Sequence, residues 1–284
     1  MKTKSNSNLL FIEKYRPTSI SNIVSHDNVK SVFKYYIDKN DFPNCILYGP
    51  AGIGKTSIVL STMKELFKEN ESYNTKWINA SENRNVSNIK SLLVSFINNK
   101  SLKSYSNSLK VIILDEADNL TNDSMNIIDS IINDNTNVKI CLICNYITKI
   151  PYYIQNKCLT FKMNDIDKTQ ILKHLQYISD QESINISDQA LQKIIDNEPN
   201  GDLRSIINTL QYYYLLYDNS PIIDLDIKEI NNTYQDIIKK IQNEDMNEQK
   251  NITKLKILEY MDYLLLSLES NELYKKILLR ISKL

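Results

Sequence analysis

The chain has 284 residues, 42% of them hydrophobic and 24% charged, and its 34 basic side chains balance 34 acidic ones. That length exceeds one comfortable core and predicts two or three domains. A formal net charge of +0 excludes a global basic signature, so a nucleic-acid footprint must be a local patch or be shared with other subunits; the lack of any apolar run of about 18 residues argues against a membrane partner.

The first residues, 1–8, are polar and lack the apolar stretch of a secretory signal. They are expected to form a short frayed tail. From residue 44 to 161 the pattern alternates. Short apolar or β-branched runs at 45–48, 77–79, 111–114 and 140–144 read as strands. Amphipathic stretches at 56–67, 86–98 and 124–133 read as helices between them. Alternation of this kind predicts a parallel sheet with helices on both faces, and continuous apolar strands are those buried on both sides. Beyond Phe161 the strand signals stop. Asp165 or Asp167 is placed to cap a helix through Ile178, and Ser187 to cap a second through Asp196. Asp202, after the turn Pro199-Asn200-Gly201, is placed to cap a third through Tyr217. A polar break containing Pro221 precedes a last helical stretch. The expected organisation is an α/β core over residues 1–162, a small helical domain over 163–220, and an all-α domain over 221–284.

Residue usage sharpens the reading. Of the four glycines, Gly49, Gly52 and Gly54 crowd one loop, where backbone freedom is needed most. The four arginines are Arg16, Arg84, Arg204 and Arg280, so an arginine is informative here. Cys141 and Cys144 form a C-x-x-C, but inside a predicted strand positions three apart point to opposite faces. With no second pair to complete a zinc site, Cys45, Cys141, Cys144 and Cys158 read as free thiols, without metal or redox roles.

Two motifs carry chemistry. Gly49-Pro50-Ala51-Gly52-Ile53-Gly54-Lys55-Thr56, with Ser57 after it, fits G-x-x-x-x-G-K-[ST] between an apolar strand and an amphipathic helix. This is the P-loop pattern. Its glycines let backbone N–H groups wrap phosphates at a helix N-terminus, Lys55 reaches the β and γ phosphates, and Thr56 holds Mg²⁺. The second motif is Asp115-Glu116-Ala117-Asp118, delivered by the apolar run before it. Asp115 is placed for the metal and Glu116 to polarise an attacking water. Asn145 ends the next strand, where its amide could meet the γ-phosphate or the lytic water. Arg204, early in the third helix of the helical domain, could reach the γ-phosphate.

In this order the pieces resemble the AAA+ ATPases, and several boxes narrow the resemblance to replication factor C small subunits. Glu13-Lys14-Tyr15-Arg16-Pro17 resembles that family's N-terminal box beside the adenine, and Asn79-Ala80-Ser81 its N-A-S box. Asp115 to Asp118 is its D-E-A-D box. Leu142 to Tyr146 resembles its sensor-1 strand, and Gly201-Asp202-Leu203-Arg204 its sensor-2 box. The resemblance covers residues 9–217. It implies ATP and Mg²⁺ as ligands and a hetero-pentamer of clamp-loader subunits that loads a sliding clamp on primer–template DNA. It also implies a helical lid at 163–220, a collar at 221–284, and nuclear localisation by default, with a cytosolic replication site as the alternative. Arg84 and Lys149 fall on positions that would face DNA phosphates, which position a duplex without reading sequence.

Two departures stand out. Where the family places an arginine finger for the neighbour's ATP, this chain has Asn156-Lys157-Cys158. Lysine keeps the charge and loses the planar fork. Where the family carries an arginine pair, this chain reads Ile128-Asp129-Ser130. Two other functions remain open: a structural subunit that binds ATP with little turnover, and a different AAA+ DNA-remodelling motor.

Overall fold

The structure, a computed structural model, describes residues 10–81, 86–98, 109–198 and 201–217. They form two units: residues 16–167, and a second in which residues 10–15 join those from 168 onward.

Helix α1 (Phe11–Lys14) belongs to the second unit. The first unit runs through a 3-10 turn at Ile20–Asn22, α2 (Asp27–Asp38), β1 (Cys45–Tyr48), α3 (Lys55–Phe67), α4 (Glu71–Asn74), β2 (Thr75–Asn79) and α5 (Val86–Asn98). It continues with β3 (Lys110–Asp115), a 3-10 turn at Ala117–Asn119, α6 (Asn122–Asp134), β4 (Val138–Cys144), a 3-10 turn at Ile147–Lys149, α7 (Tyr152–Gln155) and β5 (Leu159–Lys162).

The five strands form one parallel sheet in the order β2-β3-β4-β1-β5. From β1 the chain crosses to the far edge, steps inward through β3 and β4, and then passes β1 to reach β5. The order therefore reverses at β1, and in open α/β sheets a ligand crevice forms outside the strand carboxyl ends at such a point. Register brings Tyr48 level with Cys144 and Asn79 level with Asp115.

The central strands are buried on both faces, as their unbroken apolar runs require. On one face Ile46, Ile112, Leu114, Ile140 and Leu142 pack with Ile89, Leu93 and Phe96 of α5 and with Met125, Ile128 and Ile131 of α6. Elsewhere Ile58, Val59 and Met63 of α3 are buried, and Phe33 of α2 stacks on Phe42 and leans on Phe161. Each such side chain contributes about 1.5–3 kcal/mol by leaving water. Cys144 belongs to the α5–α6 face, whereas buried Cys141 sits beside Cys45. The two halves of the C-x-x-C thus point apart. All four thiols are free, and burial pushes those of Cys144 and Cys158 up to about 12.

In the second unit α8 (Lys168–Gln181), α9 (Asp188–Asp196) and α10 (Leu203–Tyr217) form the helical cluster that the sequence spacing predicts. Ser187 Oγ accepts the Ala190 N–H at 3.1 Å. Asp202 Oδ1 accepts the N–H groups of Arg204 at 2.9 Å and Ser205 at 3.3 Å. Both caps are those expected from sequence. Helix α1 joins this cluster. The Phe11 N–H donates to Gln211 Oε1 at 2.9 Å, the Tyr15 hydroxyl donates to Glu182, and Lys14 pairs with the same carboxylate at 2.5 Å. Burial and the Glu182 carboxylate raise the Tyr15 pKa, so the phenol remains a donor. Residues 10–15 thus side with the helices, where their aromatic and polar partners lie. The all-α stretch 221–284 and the tail 1–8 lie outside the described residues. No helix among the described residues is long and apolar enough to cross a membrane.

Candidate nucleotide site

The site grows from the carboxyl end of β1. Gly49 follows that strand at φ 150°, and a Cβ there would lie 2.2 Å from the Met163 carbonyl oxygen and 2.9 Å from Ile53 Cδ1. The loop turns through Gly52 at φ 72° and enters α3 at Gly54, φ 94°. Pro50 and Ala51 are exposed, Ile53 is buried, and Ser57 is half-buried in the first turn of α3.

Lys55 is only 8% exposed, so its ammonium must be hydrogen-bonded to avoid a large desolvation cost. It donates to the Gly49 and Pro50 carbonyls at 2.7 and 2.5 Å and to Asn145 Oδ1 at 2.8 Å. Asn145, at the end of β4, was expected at the γ-phosphate or lytic water. It accepts from the P-loop lysine, because register places the ends of β1 and β4 side by side.

Asp115 closes β3 beside the loop. Its Oδ2 accepts the Thr56 hydroxyl at 3.1 Å, and its Oδ1 accepts the Glu116 N–H at 2.9 Å. Burial raises the Asp115 pKa, opposed by those two donors. Glu116 is exposed and adopts φ 53°, ψ 39°, a left-handed conformation rare for a residue with a side chain. The 3-10 turn after it holds that conformation through the Asn119 N–H on the Glu116 carbonyl at 2.9 Å. The Asn119 amide also donates to Glu116 Oε2 at 3.2 Å. Thr56 and Asp115 offer two hard oxygen donors side by side. That set fits Mg²⁺, which takes one or two protein oxygens and completes its shell with water and phosphate.

The segment carrying Arg16 and Pro17 is pinned to α3. Ser61 Oγ donates to the Pro17 carbonyl at 2.9 Å, and the Ile20 N–H donates to Glu65 Oε1 at 2.6 Å. Arg16 is half-buried. Lys157 does not project freely: its ammonium pairs with Asp129 Oδ1 at 2.5 Å and donates to Asn133 Oδ1 at 2.9 Å, both on α6. Lys149 is exposed, with its ammonium 5.6 Å from the centre of the Tyr146 ring. Arg204 is exposed on the first turn of α10, in the second unit. Arg84 lies outside the described residues.

The structure thus brings together the P-loop, Asp115, Glu116 and Asn145 at one end of the sheet. Sequence reasoning missed His26, whose imidazole touches the Ile53 carbonyl, and Asn119. Only the scarcity of histidine, two in the chain, could have marked His26, and scarcity assigns no role.

Residues 45–163 match the family described as "ATPase family associated with various cellular activities (AAA)". Over 206 residues the chain is 32% identical to replication factor C subunit 5 of Homo sapiens, covering 72% of this chain and 60% of that protein. It is 34% identical over 206 residues to replication factor C small subunit 2 of Pyrobaculum islandicum, covering 72% and 63%. In sequence the chain is thus similar to the replication factor C small subunits. Similarity to replication factor C subunit 3 of Schizosaccharomyces pombe, 32% over 216 residues, covers 76% of this chain and 62% of that one. The chain therefore spans somewhat less than two thirds of the length of these replication factor C relatives. Among solved structures, the Thermotoga maritima RuvB Holliday junction branch migration motor superposes with a TM-score of 0.62 at 15% identity, over 81% of this chain and 80% of that one. That likeness is one of fold.

Proposed function

We propose that this chain hydrolyses ATP as a small subunit of a replication factor C-like clamp loader. The observation that carries the proposal is the convergence of Lys55, the Thr56–Asp115 pair and Glu116 at the strand ends beside the P-loop. Lys55 and the loop N–H groups bind the triphosphate. The Arg16–Pro17 segment, fixed on α3, flanks the adenine. Glu116 orients and polarises the attacking water. Asn145 sets Lys55, and Arg204 senses the γ-phosphate from the helical lid. Thr56 and Asp115 hold Mg²⁺, which when bound neutralises charge developing on the β and γ oxygens.

The resemblance supports a hetero-pentamer with other clamp-loader subunits, a sliding clamp and primer–template DNA as partners, and the nucleus as location. Lys149, exposed at the end of its turn, and Arg84 supply phosphate contacts. A zero net charge fits a footprint shared among subunits, with affinity that falls steeply with salt and is indifferent to sequence. Residues 163–220 act as the lid and 221–284 as the collar.

Two substitutions test the site. Lys55→Ala is expected to abolish ATP binding. Glu116→Gln is expected to keep binding and lose turnover by about 10²–10⁴-fold, because an amide cannot take a proton from water. Nucleotide titration and phosphate release read both, and undiminished turnover in Glu116→Gln would remove Glu116 from its role.

One observation favours a second reading, an ATP-binding subunit that stabilises the assembly and fires little. Lys157, the residue at the finger position, is already engaged by Asp129 and Asn133 of its own chain.

A further inference from the structure

His26 stands immediately before α2 in a left-handed conformation, φ 66° and ψ 44°. A side chain at such a position is strained, and it persists only where surrounding structure fixes it. The imidazole makes no capping bond to its own helix. Its Nε2 lies 3.0 Å from the carbonyl oxygen of Ile53, inside the P-loop. A carbonyl oxygen only accepts, so Nε2 carries the proton. Burial disfavours the imidazolium and keeps the ring neutral at ordinary pH.

That bond falls beside a glycine. Gly54 lies at φ 94°, and a Cβ built there would meet nothing within 4 Å. No side chain at Gly54 holds the Ile53–Gly54 peptide in one orientation, and glycine tolerates either. The peptide is trans, so its C=O and N–H point in opposite directions. Tying the Ile53 carbonyl toward His26 therefore turns the Gly54 N–H away from His26. The mount is firm, because the segment before His26 is fastened to α3 at Ser61–Pro17 and Glu65–Ile20. Buried Ile53, 1% exposed, anchors the same residue through its side chain.

We propose that His26 is a positioning residue of the P-loop, fixing the Ile53–Gly54 peptide so that the Gly54 N–H is presented to the phosphates of a nucleoside di- or triphosphate. The inference rests on the nucleotide-site reading above and adds a residue outside every motif of that reading. A lost phosphate donor raises KM and leaves kcat, because the bond serves substrate and transition state alike.

The test uses the purified full chain with ADP, ATP and their fluorescent analogues. His26→Phe and His26→Ala remove the donor; His26→Gln restores an amide N–H of similar reach. Both donor-free variants are expected to weaken ADP and ATP binding about tenfold, the effect of one hydrogen bond. The KM for ATP should rise by the same factor with kcat unchanged, while the nucleotide-free urea midpoint stays near that of the parent chain. His26→Gln should recover most of the affinity. Unchanged affinity in both donor-free variants, or a loss that His26→Gln does not recover, would overturn the role of His26 and leave the nucleotide site standing. A parent chain that binds neither ADP nor ATP would overturn the site and this inference together.

Discussion

An alanine at position 49 would carry its Cβ to 2.2 Å from the backbone oxygen of Met163. The obstacle is main chain just beyond β5, so no rotamer relieves it. Left-handed backbone adds about 1–2 kcal/mol and overpacking about 1–3. We expect Gly49→Ala to lower stability by about 2–4 kcal/mol in urea denaturation and to loosen nucleotide binding, since the carbonyl of residue 49 holds Lys55. Gly49 shows how a motif glycine can be demanded by a neighbouring strand as well as by a phosphate. Lys157 teaches the opposite lesson. It stands at the family's finger position, and Asp129, where the family carries an arginine pair, is its ion-pair partner. We expect Lys157→Ala to leave ATP turnover of the purified assembly nearly unchanged, against the roughly 10³–10⁵-fold loss that accompanies removal of a working arginine finger. A fall of that size would restore Lys157 to the neighbour's site.

At the scale of elements, the end of α5 depends on a residue of the next strand. Lys110 is 9% exposed, and its ammonium donates to the Phe96 and Ile97 carbonyls at 2.8 and 2.9 Å. Those carbonyls belong to the last turn, which lacks intrahelical partners and favours a cation. Burial lowers the Lys110 pKa without removing its role as donor. Lys110→Met keeps the apolar stem and deletes the cap; it should cost about 1–3 kcal/mol in urea denaturation, with Lys110→Arg losing less. The bounds of α5 were legible because its apolar spacing is strong, and β1 because its run is unbroken. Edge strand β5 was not, since Leu159, Thr160 and Lys162 are exposed and give no buried pattern. Helix α2 was not legible for another reason: His26 precedes it without a side-chain cap. The motif residues of the site were legible one by one. Their mutual bonds, such as Asn145 on Lys55, depend on strand register that no local pattern encodes.

Across the whole molecule each unit holds one histidine whose burial lowers its pKa: His26 in the first, with its bond to Ile53 opposing, and His174 in the second. The unfolded chain binds a proton at each near the ordinary value of 6.5, whereas the folded chain takes it only at lower pH. Between those values the unfolded state carries more protons, so stability rises with pH. The histidine contribution is thus present above 6.5 and is lost as pH falls toward the depressed folded values. Asp115 works in the opposite sense, because its raised pKa lets the folded state gain a proton first, starting from an ordinary value of 3.8. The exposed carboxylates Asp27 and Asp196, lowered by their lysine partners, titrate in that lower range too. The interval from about pH 7 to 5 brackets the ordinary imidazole value, and the two histidine variants separate the imidazoles from Asp115 within it. We expect the urea midpoint of the full chain to fall across it. His174→Phe, which keeps an aromatic ring against Tyr177, should flatten the fall for the second unit, and His26→Gln for the first. A midpoint independent of pH in that interval, or an unchanged slope in both variants, would show that the two rings accept protons as readily folded as unfolded.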